Sequence, residues 1–242
     1  MNKITFVALC LAPSGGRAAQ YQCFWFTLFT CFCEGSLMKT SRPFYLTAGV
    51  ALLALLLVIT ALTTGRRLTW LMEVMPVLIV APVLWVTAKR YPLTPLLYTL
   101  IFLGCASLIV GGMYSYARVP IGFAVQEWFG LARNPYDRFG HVLQGLVISM
   151  AAREVLARGG YRLGAKMLAC LVCCVTLAIS AFYELIEWWV ALALGKDADD
   201  FLGTQGDEWD TQADMLCALV GAFISVFVLG RWHTRQLRRF LR

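Results

Sequence analysis

Charge is scarce in this chain: 14% of its 242 residues are Asp, Glu, Lys or Arg, while 60% are hydrophobic. A soluble domain carries roughly 25% charge, so this deficit excludes one. Histidine is rarer still, with two residues, His141 and His233. The nine cysteines show no paired metal-ligand spacing. Cys105, Cys170, Cys173, Cys174 and Cys217 fall inside apolar runs, where they read as small packing residues and not as a zinc or disulfide framework. Linkers and internal repeats are missing too, so the chain from Met38 onward reads as a single domain.

What the chain has in quantity is apolar runs long enough, at about 20 residues, to cross a hydrocarbon core of roughly 30 Å. Six occur, near 44–64, 70–88, 95–113, 139–157, 166–194 and 211–230. They predict an all-α membrane protein, a bundle of about six transmembrane helices in residues 38–242. A longer connection, Tyr114 to Arg138, contains IGFAVQEWFG, whose apolar residues around Gln126 and Glu127 suit a helix lying at the membrane interface.

The net charge of +7 does not point to nucleic acid, because Lys and Arg stand between the runs and form no single basic face. Counted from Met38, thirteen fall on the side that holds both termini and six on the other. The positive-inside rule then puts both termini in the cytoplasm and the remaining face in the periplasm. Residues 1–37 stand apart as an N-terminal extension. A signal peptide is one reading; a mis-assigned start, with Met38 opening the basic leader MKTSR, is the simpler one.

The residues able to do chemistry gather at the periplasmic ends of three runs. In NPYDRFGHVLQG, Asp137 and His141 are four apart and share one helix face, with Asp137 also placed to cap the helix. In FYELIEWW, Glu184 and Glu187 share a face about two turns inside the fifth run. A carboxylate at that depth costs at least about 2.5 kcal/mol if it meets lipid, so both should face the bundle interior. After the Gly-rich acidic loop GTQGDEWD, Asp210 and Asp214 open the sixth run four apart, with Asp210 placed to cap it.

One histidine among several carboxylates has the ligand types for a divalent metal ion. Asp137, His141, Glu184, Glu187, Asp210 and Asp214 are the candidate ligands, and His141, Glu184, Glu187 and Asp210 the candidate catalytic groups. Glu73, Tyr114, Tyr183, Arg138 and Asp207 could support them, with Tyr136 and Arg133 as further donors. Without a metal, the same carboxylates suit a proton relay. His233, in the basic segment RWHTRQLRR, reads as an interfacial residue attracted to anionic lipid.

At LTWLMEVMPVLI, PLTPLLY, NPYDRFGHVLQG, AFYELIEWW and FLGTQGDEWDTQADM the chain resembles the YjdF-like family of bacterial inner-membrane proteins, over roughly Phe44 to Arg239. The resemblance implies a six-helix inner-membrane fold and brings no defined activity. More distantly, the order of polar residues is similar to VanZ-like membrane proteins: Asp137 and His141, then Glu184 or Glu187, then Asp210 and Gly221. Asp214 stands where that pattern has Asn, and Cys217 where it has a first Gly.

Three functions are open to such a chain. One is a metal-assisted hydrolase or transferase acting on an envelope lipid or lipid-linked precursor, with the 114–138 segment as a substrate lip. Another is a small proton-coupled transporter, for which six spans without a detectable repeat are thin. The third is a structural protein whose polar residues hold helices together.

Overall fold

The computed structural model describes residues 42–194 and 204–241. The extension 1–37, the choice between Met1 and Met38, and Lys196, Asp197, Asp199 and Asp200 lie outside the described residues. The chain divides into two units, Met1–Ala48 and Gly49–Arg242. The first contributes, among the described residues, only the opening turns of a helix. The second is a helical bundle.

Helix α1 covers Arg42–Thr63, α2 Arg67–Thr87, α3 Pro95–Tyr114, α4 Pro120–Phe129, α5 Tyr136–Arg158, α6 Ala165–Leu194 and α7 Asp210–Phe223. A π-helical segment, Ile224–Leu229, continues α7 directly into α8, Gly230–Leu237. The chemistry of the ends sets these limits. Thr94 caps α3 by accepting a hydrogen bond from the Leu97 amide, and Pro95 follows at the first helical position. Ser115 closes the same helix in the left-handed region at φ 54°, and Gly130 closes α4 at φ 61°.

Five stretches are long and apolar enough to cross a membrane: Tyr45–Thr63, Arg67–Thr87, Pro95–Tyr114, Ala165–Ala193 and Asp210–Leu237. The expected fourth span, α5, has the length at 23 residues but is far less apolar, because it carries Asp137, Arg138, Arg153, Glu154 and Arg158. Those charges sit at its two ends. Asp137 and Glu154 are about 25 Å apart along the helix, close to the thickness of a hydrocarbon core. The sixth span also differs from expectation, since it runs to Leu237 and takes Arg231, His233 and Arg235 into the helix. Helix α4 is the expected interfacial segment, ten residues long, with Ile121, Phe123, Trp128 and Phe129 exposed.

Helix α5 lies at the centre and packs against α3, α6 and α7, while α2 packs on α3. Side-chain bonds fix the directions. Tyr136, opening α5, meets Ser107 near the end of α3, and Glu154, near the end of α5, meets Thr94 at the start of α3, so the two are antiparallel. Helices α5 and α7 run parallel, joined at their starts through His141 and Asp214. Between them the backbones nearly touch. A Cβ on Gly145 would lie 2.7 Å from the carbonyl carbon of Ala218, and one on Gly221 would lie 2.8 Å from the Leu146 amide nitrogen. Small residues permit such approach, and in lipid close packing replaces the hydrophobic effect as the force between helices.

The far end of α5 corrects the reading of His233. That side chain is not interfacial but fully buried, together with Glu154 and Thr94. Arg153 can only donate, so its 2.7 Å contact to His233 Nδ1 leaves the ring proton on Nε2, which donates to Glu154 Oε2 at 3.1 Å. Glu154 also accepts from the Thr94 amide and hydroxyl and from Arg158. The π-helical segment makes this meeting possible. Nineteen residues separate Asp214 from His233, and on a regular α-helix they would point roughly 100° apart. The wider π turn advances fewer degrees per residue and swings His233 back onto α5.

Candidate functional site

At the other end of α5, the start of α2, the end of α3, the start of α5, the end of α6 and the start of α7 meet. His141 is the centre. Its Nε2 lies 3.7 Å from Asp137 Oδ1 and 4.0 Å from Asp214 Oδ2, and its Nδ1 lies 3.8 Å from Glu184 Oε1. Nδ1 also stands 3.1 Å from Gln144 Oε1, which can only accept. With Nδ1 donating to Gln144, the neutral ring turns Nε2 and its lone pair toward the two aspartates.

Asp137, His141 and Asp214 each offer a donor atom, and these atoms lie within 4.8 Å of one another. Two metal bonds of about 2.1 Å span at most about 4.2 Å, so the 3.7 and 4.0 Å separations from Nε2 are within reach of one cation. Three protein ligands with a further position open is the arrangement of catalytic zinc sites, and a hydrogen bond that fixes the imidazole is their usual support. Asp214 Oδ1 and Glu184 Oε1 are buried without a hydrogen-bond partner. Buried oxygens of that kind are uncommon and demand a reason.

The remaining expected residues divide. Asp210 does not cap α7; it pairs with Arg133, which also reaches Asp207 at 3.5 Å and Asp137 at 3.6 Å. Asp137 is likewise no cap, because the Asn134 side chain accepts from the Tyr136 amide instead. Arg138 pairs with Asp207. The Trp209 amide, which donates to the Asp207 carboxyl, and the two guanidiniums beside it hold that carboxyl below the usual range. Glu73, Tyr183 and Glu187 line a cavity of about 300 Å³ together with Asp137 and His141. The Tyr183 and His141 rings stand steeply to one another, at 73° with centroids 6.5 Å apart. Tyr114 is exposed and does not line that cavity; Tyr116 does.

Sequence reasoning missed Tyr116, Asn134 and Gln205. Asn134 is fully buried, gives its side-chain N–H to Val119 and its backbone N–H to Gln205 Oε1, and receives a bond on its own carbonyl from Gln205 Nε2. This reciprocal pair ties the entry of α5 to the acidic loop before α7. Gln205 does so at φ 52°, beside Gly206 at φ 82°. The motif FLGTQG supplied the only signal, a glycine next to an amide.

Residues 45–235 match the family described as "Predicted membrane protein (DUF2238)". The chain is 62% identical over 202 residues to "Inner membrane protein YjdF" of Escherichia coli (strain K12), covering 84% of this chain and 97% of that protein. No solved structure matches. These matches and the apolar helices place the chain in the inner membrane as a multi-pass protein. It belongs to the YjdF-like family, the membrane proteins grouped as DUF2238.

Proposed function

We propose that this protein is a membrane-embedded hydrolase or transferase acting on an envelope lipid or lipid-linked precursor, with a divalent cation held by Asp137, His141 and Asp214. The observation that carries the reading is the pair of buried, unpartnered oxygens, Asp214 Oδ1 and Glu184 Oε1, beside an imidazole whose Nε2 lone pair is available. Helix glue would leave such groups hydrogen-bonded to one another. A bound cation polarises a carbonyl or phosphoryl oxygen and lowers the pKa of water.

The protein's own groups do the rest. Glu184 takes a proton from the attacking water, whose oxygen bonds to the carbonyl carbon or phosphorus of the substrate. The ester bond breaks, and the same proton passes to the leaving oxygen. Arg133 holds Asp137 and Asp210 in place and keeps two of the surrounding carboxylates neutralised. By the positive-inside count, this site faces the periplasm and both termini the cytoplasm.

The test is the divalent-metal content of detergent-purified protein, parent against an Asp137→Asn, Asp214→Asn double variant with the same melting midpoint. A stoichiometric metal in the parent that the variant lacks supports the reading and justifies screening envelope lipids for turnover. Absence of metal from both sinks it.

A further inference from the structure

Four helices build the wall of the 300 Å³ cavity, and each changes character along it in the same direction. On α2, Glu73 gives way to Val77 and Val80; on α5, Asp137 and His141 give way to Val147 and Ile148; on α6, Glu187 and Tyr183 give way to Ile179. Tyr116 stands past the end of α3, with Leu108 and Ile101 deeper. The alternating helix directions make these gradients coincide, so the polar layer lies at the His141 end and the apolar layer toward mid-membrane. From His141 to Ile148 is about 10 Å, and from Glu187 to Ile179 about 12 Å, most of the roughly 15 Å that one leaflet's hydrocarbon occupies.

The wall is also incomplete. α2 packs on α3, α3 on α5 and α5 on α6, but α2 and α6 make no comparable contact among the described residues. At that gap Val80 and Ile179 line the cavity and are still 39% and 44% exposed. The cavity thus opens sideways toward lipid. Its polar layer holds Glu73, Asp137 and Glu187, and its lining has no lysine or arginine. Hydrogen-bond donors suit that layer; a bare anion does not.

We infer that the cavity binds a membrane lipid that enters between α2 and α6, lays one hydrocarbon chain along the apolar layer and sets a hydroxyl- or ammonium-bearing headgroup at the carboxylate layer. This names the substrate class of the site described above and rests on that reading only for what happens to the lipid once bound. On the orientation given there, the lipid comes from the outer leaflet.

The experiment is photo-crosslinking of the full chain in detergent with a lysophosphatidylethanolamine that carries a diazirine midway along its chain, mapped by peptide mass spectrometry. Labels are expected on the cavity segments of α2, α5 and α6. Ile148→Trp, which fills the apolar layer, should cut them about tenfold, as should Ile179→Trp on a second helix that tolerates the change at a half-exposed position. Phe227→Trp, on a lipid-exposed position, should leave them unchanged. The same chain as a free fatty acid should label several-fold less. Asp214→Asn, which removes a metal ligand outside the cavity lining, should lose metal and keep the labels; a parent that binds no metal yet is labelled on these segments defeats only the catalytic reading. Labelling spread evenly over exposed apolar surface, labelling indifferent to both tryptophans, or equal labelling by the free acid overturns the inference.

Discussion

A single methyl group on Gly145 should separate the two helices that carry the candidate metal ligands. Its Cβ would lie 2.7 Å from the Ala218 carbonyl carbon and 2.8 Å from its Cα, where ordinary contact begins at 3.4 Å. The obstacle is backbone and cannot rotate away, so α5 and α7 must part by at least about 0.7 Å, at a cost of about 2–3 kcal/mol. Gly145 is one turn from His141, and Ala218 one turn from Asp214. The 4.0 Å between His141 Nε2 and Asp214 Oδ2 then grows past the span of about 4.2 Å that one cation can bridge. Gly145→Ala should therefore lower the melting midpoint in detergent and reduce metal retention by more than about tenfold. Gly164→Ala, whose Cβ would meet nothing within 4 Å, is the control and should change neither. If Gly145→Ala keeps both its midpoint and its metal, the close α5–α7 approach does not set the site.

Two other outcomes follow from the charges. Glu154→Ala takes from Arg158 and the fully buried His233 the carboxylate they share, and breaking such a pair costs about 3–5 kcal/mol; membrane abundance should fall sharply, while metal per folded molecule stays at the parent value. Asp207 is an acid whose carboxyl is held low, so its contribution to stability is complete above the free-acid pKa of about 3.9 and disappears as pH falls through the lower folded-state value. The melting midpoints of the parent and Asp207→Asn should differ at neutral pH and converge in acid.

Much of this was legible because helices and membranes impose strict periods and lengths. Five of the six expected runs follow from apolar length, the fourth being too rich in charge to meet it, and the Asp137–His141 and Asp210–Asp214 pairs follow from four-residue spacing at ends that any antiparallel bundle with short loops brings together. Arg133 was harder to place, because a positive charge beside a span reads first as a topology signal. Arg153 was hidden in the same way, and Glu154 beside it carried no spacing that singled it out. Their partner, His233, is 79 residues beyond Glu154, and the π-helical turn that delivers it breaks the helical period by which faces are read. Tyr114 rather than Tyr116 looked like the site tyrosine, since nothing short of the left-handed turn at Ser115 and Tyr116 shows which ring turns inward.

The charge-laden ends of α5 bear on how the protein is made. Presented alone, a helix with Arg153, Glu154 and Arg158 at one end and Asp137 and Arg138 at the other sets charged groups at both edges of the hydrocarbon core, where they need partners. Thr94, already synthesised, satisfies part of Glu154, but His233 and Thr234 emerge some eighty residues later. The bonds from Arg153 to Thr234 and from His233 to Glu154 therefore form only after α7 and α8 have been made. Helix α8 thus completes, late in synthesis, the set of partners that the charged end of α5 has lacked since α5 was made.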